Sequence, residues 1–171
     1  MRTLFLRRLL LTAVLLPLAA LAETQSLNAR IDAAEFVSDD DSISLVPIGN
    51  SSGSFSLSAS TKGASAWPPP KTPVDRIGIV CSGLRAGKPV KLGSQNFSRA
   101  ECDVVFSKGV KVMGGEPDAE YKLDKQYAGN LFEIERAEGK RYIGSFSFRL
   151  LDAAGQAHPL SGRFEAEDRQ L

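Results

Sequence analysis

Between Asn130 and Glu167 most of the large apolar residues fall on even positions: Phe132, Ile134, Tyr142, Phe146, Phe148, Leu150, Leu160 and Phe164, with Ala166 in the same series. The odd positions between them are mostly polar, among them Glu133, Glu135, Ser145, Ser147, Arg149, Ser161, Arg163 and Glu165. Successive side chains of a strand point to opposite faces, so this period makes one face apolar and the other wet. A helix cannot bury such a pattern. The segment therefore reads as an antiparallel meander.

Its turns set a register. Ala137-Glu138-Gly139 suits a three-residue hairpin loop with glycine in the left-handed position. That loop pairs Ile134 with Tyr142 and Phe132 with Gly144. In the next hairpin, Phe148 opposite Leu160 sets Phe146 across from Gly162 and Gly144 across from Phe164. Each inward glycine then faces a phenylalanine, and rings that cover strand glycines are a known sheet device.

The same period runs upstream. Strands are expected at Ile43 to Ile48, Gly53 to Ser60, Val74 to Cys81, Pro89 to Leu92, Glu101 to Ser107, Tyr121 to Tyr127, Asn130 to Arg136, Arg141 to Leu151 and Pro159 to Ala166. Leu27 to Val37 fits both a strand and a helix, and we read it as a first strand. Many short strands between turn residues predict an all-β fold, an antiparallel β-sandwich or small barrel with a C-terminal meander.

The chain opens with Arg2, Arg7 and Arg8, then an apolar run from Leu9 to Leu21 that ends in Ala20-Leu21-Ala22. A basic start, a short apolar stretch and small residues at a cleavage position read as a secretory signal peptide, residues 1–22. The run is too short to cross a bilayer, which takes about 20 apolar residues. Residues 23–171 then form a single β-domain, periplasmic or secreted, with no membrane span left. The leader holds three of the 21 basic residues and none of the 20 acidic ones, so the remainder is near neutral. Such a balance gives no electrostatic footprint for nucleic acid.

Cys81 and Cys102 are the two cysteines, both in the exported part. A pair of thiols in an oxidising compartment reads as one disulfide. Ile77, Ile79 and Cys81 share a strand face, as do Cys102, Val104 and Phe106, so the bridge points into the core. The spacing and the single histidine do not make a metal site.

Gly49-Asn50-Ser51-Ser52-Gly53 matches the G-x-S-x-G pattern of a serine nucleophile, which needs a strand, a sharp turn and a helix. Here a strand follows, and the pattern reads as a hairpin turn. His158 lies in the Ala154-to-Leu160 connection and reads as a solvated loop residue. Asp39, Asp40 and Asp41 read as an acidic loop. We assign no catalytic residue, metal or cofactor. Trp67 beside Pro68, Pro69 and Pro70 is the one stretch with the look of a partner-binding loop: a rigid backbone presents a lone indole. The functional expectation is a non-enzymatic binding domain of a bacterial cell envelope, with an unknown protein or small ligand as partner. The alternatives are an exported inhibitor or immunity-type protein, and a surface-fibre or adhesin subunit.

Overall fold

A computed structural model describes residues 25–38, 43–48, 54–62, 68, 72–82, 87–99, 101–111 and 116–168. The expected leader, residues 39–42 of the acidic loop, the Gly49–Gly53 turn, and Trp67, Pro69 and Pro70 lie outside them.

Among the described residues eleven strands form one antiparallel sheet. They are β1 (Ser26–Ile31), β2 (Ala34–Val37), β3 (Ser44–Ile48), β4 (Ser54–Ser60), β5 (Val74–Cys81), β6 (Val90–Leu92), β7 (Cys102–Val110), β8 (Ala119–Leu123), β9 (Leu131–Glu138), β10 (Arg141–Leu151) and β11 (Ala157–Glu167). One short helix, α1 (Ser94–Ser98), lies between β6 and β7. The order along the sheet is β2-β1-β11-β10-β8-β7-β5-β4-β3, with β9 on β10 and β6 on β9. The sheet curls into a half-barrel. Single bridges bring its two ends together, Ser38 with Thr61 and Leu45 with Asp168. Pro47 sits in the terminal strand β3, where a missing N–H leaves no central ladder bond unmade.

Leu27 to Val37 is a hairpin rather than one strand. Ile31 pairs with Ala34 across the two-residue turn Asp32-Ala33. Asp32 takes φ +51, a conformation that aspartate tolerates better than most side chains. The expected strand Tyr121 to Tyr127 stops at Leu123. The Asp124 carboxylate accepts the Gln126 N–H at 3.0 Å and its carbonyl accepts the Tyr127 N–H at 3.2 Å, which turns the chain despite continuing alternation.

The β10–β11 register is the expected one: Phe148 pairs with Leu160, Phe146 with Gly162 and Gly144 with Phe164. The β9–β10 register is not. Glu138 pairs with Arg141 across a two-residue turn, Gly139-Lys140, with Gly139 at φ +61. The parity this upsets is restored by a bulge. Ile143 pairs with Arg136 but Gly144 with Ile134, so Glu135 is the extra residue, and Glu135 and Arg136 are both exposed. Ile134 and Phe132 still face inward, now opposite Gly144 and Phe146.

The concave face is filled by side chains. Phe55, Phe132 and Phe164 stack across the interior at 4.9 and 5.5 Å between ring centroids. These rings come from β4, β9 and β11, so the stack ties distant strands together. Each buried phenylalanine contributes roughly 1.5–3 kcal/mol relative to exposure. Phe97 of α1 adds an edge-on contact with Phe148 at 5.4 Å. The Cys81–Cys102 disulfide forms, and its two cysteines are directly paired across β5 and β7 with Cα atoms 4.0 Å apart. Both are buried beside Ile79 and Val104, the neighbouring inward pair.

Candidate functional site

Two places on this scaffold carry chemistry beyond packing. The first is one mouth of the half-barrel. His158 is not a loop residue. It is the second residue of β11, pairs with Leu150 of β10, and its side chain is only 17% exposed. Inward-facing alternation places it there, one step from buried Leu160. Its ring lies flat on that of Tyr121 from β8, 4.1 Å between centroids and 2° between planes. Nδ1 is 2.8 Å from Asp32 Oδ2 in the β1–β2 turn. Nε2 is buried and 3.5 Å from Asp152 Oδ2 in the β10–β11 turn, an ion-pair distance beyond a good hydrogen bond.

Each partner is held by its own turn. The Asp32 N–H donates to the Pro159 carbonyl at 2.9 Å. The second oxygen of Asp152 accepts the Gln156 and Ala154 N–H groups at 2.8 and 2.9 Å. Those backbone donors, Gln156 first, hold the Asp152 carboxyl below the usual carboxylate range, with His158 adding to the effect against partial burial. The hydrogen bond with Asp32 raises the His158 imidazole above its ordinary 6.5; burial opposes this, and Asp152 reinforces it. A neutral ring donates to one carboxylate and turns a lone pair on the other. A protonated ring donates to both. With carboxylates facing both nitrogens, the protonated ring is the form that this site favours.

The second place is a shallow depression of about 700 Å³ along β2, β1 and β11, lined by outward residues of these strands and by Ala29, Phe36, Phe146 and Gly162 of the row between them. Cross-strand pairing sets its two rows: Val37, Asn28 and Arg163 in one, Glu35, Arg30 and Ser161 in the other. Val37 is 41% exposed. Ion pairs stand at the margins, Arg30 with Glu35 at 3.6 Å and Arg163 with Glu135 at 2.8 Å.

No protein-family model, curated protein or solved structure matches this chain. The site's geometry therefore stands on its own residues.

Of the residues singled out in the sequence, Cys81 and Cys102 are joined and buried, a structural role. Pro68 is exposed, while Trp67, Pro69 and Pro70 fall outside the described residues. Among the described residues no cluster of His, Cys, Asp or Glu is arranged to hold a metal ion, and no helix is long and apolar enough to cross a membrane. Asp32, Tyr121 and Asp152 escaped the sequence reading. The one available clue was an aspartate at each of two turns, Asp32-Ala33 and Asp152-Ala153, that flank strands paired with β11.

A third cluster is structural. Arg149 donates to Asp124 at 2.8 Å and lies 4.1 Å from the centre of the Tyr127 ring. Buried Asn130 accepts the Arg149 N–H at 3.0 Å and donates to the Asp124 carbonyl at 2.7 Å. This bracket fastens the β8–β9 connection to β10.

Proposed function

We propose that this chain is an exported, non-enzymatic binding domain of a bacterial cell envelope, and that it meets its partner through the outer face of β2, β1 and β11. The observation that carries this reading is the depression on that face, where polar rows and the exposed Val37 lie over paired strands. The concave interior is occupied by aromatic and aliphatic side chains, so recognition falls to outer surfaces and loops. A preformed strand surface orders few groups on contact, which limits the entropy cost of association. Arg30, Arg163 and Glu35 offer charge-assisted hydrogen bonds to a polar partner, with Val37 as a small apolar contact.

The test places a photo-crosslinking residue at Val37 or Ser161 in the cells that make the protein, with Val80 of β5 as the control; Val80 is 46% exposed. The reading expects one discrete adduct from Val37 and Ser161, weakened by Arg163→Glu, and none from Val80. Equal adducts at all three positions, or none at any, would overturn it.

A further inference from the structure

We propose that His158 is a proton-operated latch that clamps the β1–β2 turn to the β10–β11 turn, so that the β1–β2 hairpin is held more tightly in acid than in alkali. The inference stands whether or not the outer face of that hairpin binds a partner.

The geometry carries it. Among the described residues, the charged and titratable groups in contact with the imidazole are Asp32 from the β1–β2 turn, Asp152 from the β10–β11 turn and Tyr121 from β8. The two carboxylates approach opposite nitrogens of one ring. Only the doubly protonated ring satisfies both, because the neutral ring has a single N–H. Tyr121 stacks on the ring face and fixes its plane, so the imidazole cannot swing to solvent without breaking that contact. Loss of the proton therefore removes one link between the turns and sets a buried lone pair against the Asp152 carboxylate. The Asp32 N–H bond to Pro159 does not titrate, so the hairpin loosens without detaching.

The clamp has a route to the interior. Tyr121 stacks on Phe106 at 5.8 Å, and Phe106 meets Phe36 of β2 edge-on at 6.3 Å. Phe36 is buried beneath the strand that presents Glu35 and Val37. A change at the mouth is thus felt on both sides of β2.

His158 is the only histidine in the sequence, so its titration is a single resolved signal in proton NMR. The experiment follows that signal from pH 5 to pH 9 in the disulfide-bonded protein, together with amide exchange protection corrected for intrinsic rates. The latch expects a midpoint above the ordinary imidazole value. It also expects protection of the β1–β2 amides to fall about two- to fivefold through the same midpoint, the scale of a partly exposed ion pair, while β4 and β5 amides hold. Asp32→Asn keeps the turn geometry, since asparagine also adopts positive φ, and should lower the midpoint and flatten the protection profile. Asp152→Asn should lower the midpoint less. Asp103→Asn, on the exposed face of β7, should change neither. A midpoint at or below the ordinary value overturns the latch. So does hairpin protection that stays flat through the midpoint, or that changes equally across all strands. Should Asp32→Asn fail to fold, the titration of the unaltered chain decides.

Discussion

The ring of Phe164 on β11 occupies the space that a Cβ on Gly144 of β10 would need. The two residues are paired in register, and an added carbon would stand 2.6 Å from the ring and closer still to the Glu133 carbonyl. Gly162 stands in the same relation to Phe146, at 2.7 Å, with Ala29 and the Asn28 carbonyl at 2.8 Å. Both glycines are therefore required by the rings and backbone that close over them.

Gly144→Ala and Gly162→Ala should each cost about 1–3 kcal/mol, the range for overpacking a tight site. Gly144→Ala should cost more, because the Glu133 carbonyl stands closer to the added carbon than the Asn28 carbonyl does at Gly162, and a backbone group cannot swing aside as a ring can. Urea midpoints at constant m-value measure this. A neutral effect at Gly144 would mean that the β9–β10–β11 meander does not have this register.

Replacing both cysteines by alanine removes the bridge between β5 and β7. The sequence separation of 21 residues sets the loop that the bridge closes. In the chain-entropy picture such a loop is worth roughly 3 kcal/mol. The double variant should unfold at correspondingly lower denaturant, and a reductant should then shift the parent but not the variant.

Asn130→Ala strips partners from two backbone groups, the Arg149 N–H and the Asp124 carbonyl. Leaving buried polar groups unpaired costs about 1–3 kcal/mol. Exchange protection should fall first in residues 124–130 and at the Leu150–Leu123 end of β8. Uniform loss over all strands would argue against a local bracket.

Stability should fall at both ends of the pH scale for different reasons. The folded state raises the His158 value, so its stabilisation is complete below about 6.5 and is lost as pH rises through the higher folded value. Asp152 and Asp124 are held below the ordinary carboxylate value of 3.8. For Asp124 partial burial works against that lowering, and the Arg149 hydrogen bond is the largest effect in its favour. Their stabilisation is present above 3.8 and is lost as pH falls through the folded values. Thermal midpoints across pH should therefore peak in the mildly acidic range, and His158→Gln should remove the alkaline slope and weaken the acid one, to which His158 contributes through Asp152.

Much of this fold was legible because alternation and turn chemistry agree. Val74–Cys81 and Arg141–Leu151 have the expected bounds, and the inward cysteines could be read from Ile77, Ile79, Val104 and Phe106. The β9–β10 register was not legible. A three-residue loop and a two-residue loop with a bulge at Glu135 leave the same residues facing inward, so parity cannot separate them. The helix Ser94–Ser98 is too short for a periodic signature, and only its buried Phe97 marks it. The His158 cluster was hidden for another reason. Asp32 lies 126 residues away, and only the pairing of β1 with β11 brings its turn alongside.

We propose that this chain works outside the cytoplasm as an oxidised β-domain. Intact mass of the protein isolated from its native compartment, with and without alkylation, tests that most directly. The account predicts a polypeptide beginning at Glu23, lighter by two hydrogens than its reduced form and unmodified by alkylating agent until a reductant is added. A full-length chain with Cys81 and Cys102 both alkylated without reduction would contradict it.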